Sequence, residues 1–322
     1  MKKGMRIETR LFLSKAFPAG STEIKCGRYS ITAIPSTRAA EGEAVLEFVN
    51  TFEAPEGGGS NPEEEANIVC NLLSLVLEAR IRRSGLRVNA IDIPANQADP
   101  LYQLYRGRLD AKEVDEHLRR ALSLPIELAR QLSRACRAFG SALEFIPSDP
   151  TFAFFLLVVA VECLSSQAAI ILPSELDLDS KKCERFCTFI DRFMPDGLRG
   201  EDEKDPALFR ELLKTIFFSH RSAFVHGGKE VSSAALMADM AGSSYFKHAA
   251  EGREVKTPGL AWFARIVRGA ILGYLQSLPI EGSQPDEELL ARLAYEKAVL
   301  KIKARGDLEA GRFVTLKDVE YR

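Results

Sequence analysis

The sequence predicts an α+β N-terminal region, then an all-helical bundle, then a helical C-terminal extension. Three observations carry this prediction. Between Arg6 and Glu53, three runs alternate apolar with polar residues or are rich in Ile, Val, Phe and Thr, as strands are. From residue 111 onward the apolar residues recur at helical spacing. After Glu281, a polar stretch bearing Gly and Pro precedes one more amphipathic segment. The expected division is 1–147, 148–280 and 281–322, with the first boundary at the composition shift near Ser148.

The elements follow in chain order. Arg6 to Ser14, Glu23 to Ile34 and Ala44 to Glu53 read as strands. Pro55 to Pro62 is a loop that ends in a helix start. Asn61 is the cap, Pro62 the first helical residue, and Glu63, Glu64 and Glu65 face the positive end of the helix dipole. This helix is expected to reach about Arg83, where Arg80, Arg82 and Arg83 complement its negative end. Leu86 to Ile93 reads as another strand. Residues 111–145 are helical, broken or kinked at Pro125, which cannot donate the ladder bond. From there to about residue 280 only helices are expected. Asp149-Pro150 starts one that runs to about Ile171, and Asp179 to Phe193 is a second. Asp205-Pro206 starts a third, and Pro258 to Leu278 is a fourth. A last helix spans Glu287 to about Arg305.

The composition narrows the class. An apolar fraction of 46% supplies a real core. A formal net charge of −2 excludes a general polyanion binder, so RNA contact needs a local basic patch. The six cysteines show no disulfide spacing, which fits a reducing, cytoplasmic compartment. The N-terminus lacks the apolar run of a secretory signal. Phe152 to Val161 is unbroken apolar sequence, but it is too short to span a bilayer. Glu162 at mid-membrane would also cost about 2.5–3.5 kcal/mol. The segment reads as a buried core helix, with no membrane partner.

The candidate chemistry lies in Ser219-His220-Arg221-Ser222-Ala223-Phe224-Val225-His226-Gly227-Gly228. An arginine fork can hold phosphate bidentately, and a histidine moves protons near neutral pH. On an ideal helix Arg221 and His226 stand about 140° and about 7.5 Å apart, so they do not converge. They make one site only at a helix end or across two helices. Gly227-Gly228 offers a stop. The plainer reading is an Arg and a His complementing the helix dipole. His220, in the middle of the apolar stripe Phe209, Leu212, Leu213, Ile216 and Phe217, reads equally as a core or interface residue.

Arg221-Ser222-Ala223-Phe224-Val225-His226, on the third helix of an all-helical segment, resembles the HEPN superfamily. The extension through Gly227-Gly228 is similar to its ApeA-like branch. Leu157-Val158-Val159-Ala160-Val161-Glu162-Cys163-Leu164 is similar to that branch's first helix, with Val161 where leucine is usual. The resemblance covers about residues 149–280. It implies a four- or five-helix domain that forms a homodimer, with Arg221 and His226 as a composite site across the two-fold. It also implies a metal-independent, cofactor-free endoribonuclease of antiviral or toxin-like defence, or else an RNA-binding or dimerisation module without nuclease activity. Ser222 departs from the Asn, Asp or His common in active members. Glu162 would orient Arg221 or His226, or serve as a buried structural carboxylate. Residues 1–147 would then sense a trigger or hold a regulatory partner.

Other groups read more simply. Cys183 and Cys187 share a helix face at i, i+4, as core packing or as two metal ligands without a third. Gly57-Gly58-Gly59 lacks the lysine of a phosphate-binding loop. Arg80, Arg82, Arg83 and Arg87 suit a helix end or a phosphate backbone.

Overall fold

The computed structural model describes residues 5–13, 23–26, 29–35, 46–54, 62–77, 82–88, 91–92, 111–146, 148–168, 170, 176–198, 206–218, 245–250, 253–279, 289–290 and 292–294, with side chains described over 64–77, 113–146, 148–168, 170, 176–198, 206–218, 258–279, 289–290 and 292–294. The long helices among the described residues are α1 (Pro62–Leu77), α2 (Ala111–Leu122), α3 (Ile126–Phe145), α4 (Pro150–Ser165), α5 (Leu178–Phe193), α6 (Pro206–Thr215) and α7 (Leu260–Ser277). The described core is helical.

The N-terminal strands are β1 (Met5–Leu13), β2 (Glu23–Cys26), β3 (Tyr29–Pro35), β4 (Leu46–Ala54), β5 (Arg82–Val88) and β6 (Ile91–Asp92). They pair in the order β2-β3-β4-β1-β5-β6, every neighbour antiparallel. β1 aligns Met5 with Ala54 of β4 and Ile7 with Val88 of β5, and its register to β5 shifts between Arg10 and Leu11.

α4 is the central helix. Asp149 accepts a hydrogen bond from the Phe152 amide at 2.9 Å, and Pro150 takes the first turn, so its start is the expected one. Its side chains are buried on most sides, including Phe154, Leu157, Val158, Ala160 and Val161. α3, α5 and α7 pack around it. Among the described residues no helix is long and apolar enough to cross a membrane. α4 stops at Ser165, short of Ile171. Two serines end the strong helix formers, and the amides of Gln167 and Ala168 both turn back to the Leu164 carbonyl, at 2.9 and 3.2 Å.

Three further expectations are refined or corrected. Pro125 makes a full break, since α2 ends at Leu122 and Pro125 is the residue that precedes α3. α1 ends at Leu77, not near Arg83. Arg82, Arg83 and Arg87 lie on β5, where strand pairing with β1 takes the backbone that the helix would have used. The stretch before residue 280 is not helical throughout, because β7 (Tyr245–Ala250) and β8 (Arg253–Pro258) pair as a hairpin. The register Ala250 to Arg253 leaves Glu251-Gly252 between them, a two-residue hairpin spacing with a glycine. The composition shift near Ser148 falls at the turn between α3 and α4, inside one continuous core that runs from Ile68 of α1 to Ala294.

The core is rich in aromatic contacts. Phe154 of α4 stacks on Phe263 of α7 at 5.5 Å between centroids, and Phe186 of α5 meets Phe263 at 6.5 Å. Gly273 lets α7 approach the end of α5 closely, since a Cβ there would strike the Phe193 carbonyl.

Candidate functional site

α6 leads directly into the Arg/His segment. Phe209, Leu212 and Leu213 bury one face of it, and the stripe continues through Ile216 and Phe217. Phe217 meets Phe186 of α5 at 5.6 Å, and Phe209 meets Trp262 of α7 edge-on at 6.2 Å. Both ends of α6 are therefore held by the core.

A polar clamp lies beside this apolar stripe. Arg210 donates through Nη1 to Asp191 and through Nη2 to Glu184 and to the Thr188 hydroxyl, the last at 3.1 Å. Glu184, Thr188 and Asp191 are spaced i, i+4, i+7 and so form one stripe on α5. One guanidinium thus spans two turns of α5. Sequence reasoning passed over Arg210, although the stripe opposite it was visible at helical spacing.

The α-helical register stops at Thr215. Ile216, Phe217 and Phe218 form a wider π-type turn. The Thr215 hydroxyl bonds the Glu211 carbonyl at 3.0 Å, a local bond that competes with the regular ladder at this point. The wider turn keeps both Ile216 and Phe217 in the core, while Phe218 is 44% exposed. The expected third helix therefore does not run in one α register from Pro206 through the motif. The wheel position inferred for His220 assumed that it did.

His220, Arg221, Ser222 and His226 lie outside the described residues. Glu162 lies within them, on α4, and is partly buried. Its carbonyl accepts a bond from the Ser165 hydroxyl at 3.4 Å. Next to it, burial raises the Cys163 thiol above its ordinary range, with Arg134 of α3 lowering it and Glu162 raising it.

Cys183 and Cys187 are both buried and in mutual hydrogen-bond contact, which lowers the Cys183 thiol and, with burial, raises Cys187. Among the described residues no group of three or more His, Cys, Asp or Glu side chains stands together as a metal site. The cysteine pair packs in the core beneath the Arg210 clamp. Of the basic cluster, Arg82, Arg83 and Arg87 fall on β5, and Arg80 lies outside the described residues.

No protein-family model matches the chain, and no curated protein or solved structure matches it.

Proposed function

We propose that the chain is a HEPN-type, metal-independent endoribonuclease that works as a homodimer, with Arg221 and His226 as its catalytic pair. The observation that supports this most is the continuity of the Arg/His segment with α6. That helix is held against α5 by Phe217 packing and by the Arg210 clamp beside it, so three residues after Phe218 a functional arginine would start from a rigid base.

In this reading RNA supplies its own nucleophile. His226 takes the 2′-OH proton as that oxygen attacks phosphorus, and a proton returns to the 5′ oxygen as the P–O5′ bond breaks. Arg221 offsets the charge that grows on the phosphorane oxygens. The products are a 2′,3′-cyclic phosphate and a free 5′-hydroxyl. DNA, without the 2′-OH, is not cut. Ser222 and His220 support the pair, and Glu162 orients it. The α+β region of residues 1–147 gates the activity or holds a regulatory partner, in antiviral or toxin-like defence in the cytoplasm.

Ser222 favours a second reading. The active members it resembles carry Asn, Asp or His there, so a module that binds RNA or a partner without cutting is the alternative. Purified chain is incubated with labelled RNA in excess EDTA, beside Arg221→Ala and His226→Ala. Cleavage lost in either variant, with unchanged unfolding curves, supports the nuclease. RNA binding without cleavage supports the module. A monomer in solution overturns the composite site.

A further inference from the structure

We propose that His117, Glu113 and Arg268 form a proton-operated latch on the C-terminal end of α1. α1 carries no basic residue in its last turn, so its final carbonyls need a donor from elsewhere. Arg268 of α7 provides it. Its Nε donates to the Leu75 carbonyl at 3.0 Å and to the Val76 carbonyl at 3.2 Å, and its Nη2 also donates to Val76. Glu113 of α2 stands beside this clamp, with Oε1 3.8 Å from Arg268 Nη2. The same oxygen lies 3.6 Å from His117 Nε2, so one carboxylate is shared between a permanent cation and a titratable ring.

The ring itself is unusual. His117 is 1% exposed, and its Nδ1 has no hydrogen-bond partner among the described residues. The charged groups acting on it are Glu113 and Glu116 from its own helix and Arg268 from α7, while α1 presents main-chain carbonyls at this junction. β2 also packs on α2 and carries Glu23 and Lys25.

At neutral pH the uncharged ring fits this environment, and Glu113 remains available to Arg268. Taking up a proton from solvent places a second cation next to the guanidinium in a buried junction. Glu113 is then drawn toward the imidazolium and away from Arg268. Arg268 loses its counter-charge, and the end of α1 is released. Burial chiefly lowers the ring's proton affinity in the folded chain, Arg268 adds to this, and Glu113 opposes it. The unfolded chain therefore binds the proton more readily. The stability from the neutral ring is complete above the ordinary histidine value of 6.5 and declines as pH falls below it toward the folded value.

The test is thermal unfolding of the full chain in one mixed buffer between about pH 7.5 and about pH 5.5, where histidines are the main side chains that titrate. The wild-type midpoint should drop by roughly 2–4 °C or more across this range. His117→Gln should flatten the drop. Glu113→Gln leaves Arg268 without its carboxylate at every pH, so amide exchange at Leu75–Leu77 should already be fast at pH 7.5 and should change little as pH falls. Amide exchange, corrected for intrinsic rates, should accelerate at Leu75–Leu77 before it does in α3. Equal pH slopes in the wild type and His117→Gln overturn the latch. If His117→Gln does not fold, exchange at Leu75–Leu77 in Glu113→Gln, a half-exposed site, that still rises with falling pH as in the wild type overturns it equally. Exchange rising together in α1 and α3 does so too.

Discussion

Replacing Arg210 with methionine keeps the aliphatic stem over α5 and removes the fork that grips Glu184, Thr188 and Asp191. Three hydrogen bonds disappear, two of them charge-assisted. Such bonds contribute about 1.5–3 kcal/mol when shielded from water, while exposed ion pairs contribute about 0.2–1 kcal/mol. The three charged side chains are 30%, 26% and 25% exposed, which places the clamp between these limits. The variant also leaves two carboxylates on one stripe of α5 without their shared cation. A net loss of about 2 kcal/mol is expected. Urea unfolding reads it as a lower midpoint at unchanged slope. A double-mutant cycle with Asp191→Asn should return a coupling of about 1 kcal/mol, reduced in high salt. If Arg210→Met unfolds within about 0.5 kcal/mol of the wild type, or the coupling is zero, the clamp is an ordinary surface ion pair. The argument that it holds α6 in place would then fail.

Two glycines give a paired prediction. Gly273→Ala forces a Cβ onto the Phe193 carbonyl, a backbone atom that cannot swing aside, and should cost about 1–3 kcal/mol in thermal or urea unfolding. Gly140→Ala, whose new Cβ would sit 3.4 Å from Asn71 Oδ1, should be neutral or stabilising by up to about 1 kcal/mol through helix propensity. At the start of α5, Asp177 accepts from the Ser180 hydroxyl and from the amides of Ser180 and Asp179. The Ser180 hydroxyl is the largest of the causes that hold its carboxyl below the ordinary carboxylate range. Its stabilising effect is therefore present above the unfolded carboxyl's pKa and lost as pH falls through the folded one. Carboxyl titration followed by NMR should place Asp177 below an ordinary aspartate, and Ser180→Ala should move it back up.

Local signals were legible where the local chain controls the outcome. Asp149-Pro150 announced the start of α4, because a side-chain acceptor and a proline at the first turn act within three residues. Pro125 announced the break before α3 for the same kind of reason. The apolar stripe Phe209, Leu212, Leu213, Ile216 and Phe217 foretold the buried face of α6. The candidate site was legible as residue type and spacing alone. What stayed hidden was the wide turn at Ile216–Phe218, since a regular wheel assumes an unbroken register. The β7–β8 hairpin was also missed, because its pairing partners stabilise each other and neither strand is distinctive alone.

The amino-acid order thus determined where most helices begin and which faces they bury, because caps, prolines and apolar periodicity act over a few residues. Which distant groups complete those helices was decided in three dimensions. The basic run at Arg80–Arg83 looked like the natural complement to the end of α1. Arg82 and Arg83 belong to β5 instead, and Arg268 serves the α1 carbonyls from 193 residues beyond Leu75. The clamp of α6 follows the same logic, with Arg210 meeting partners 19 to 26 residues earlier in the chain. A helix end needs a cation nearby in space, and nothing in the covalent chain requires that cation to be nearby in sequence.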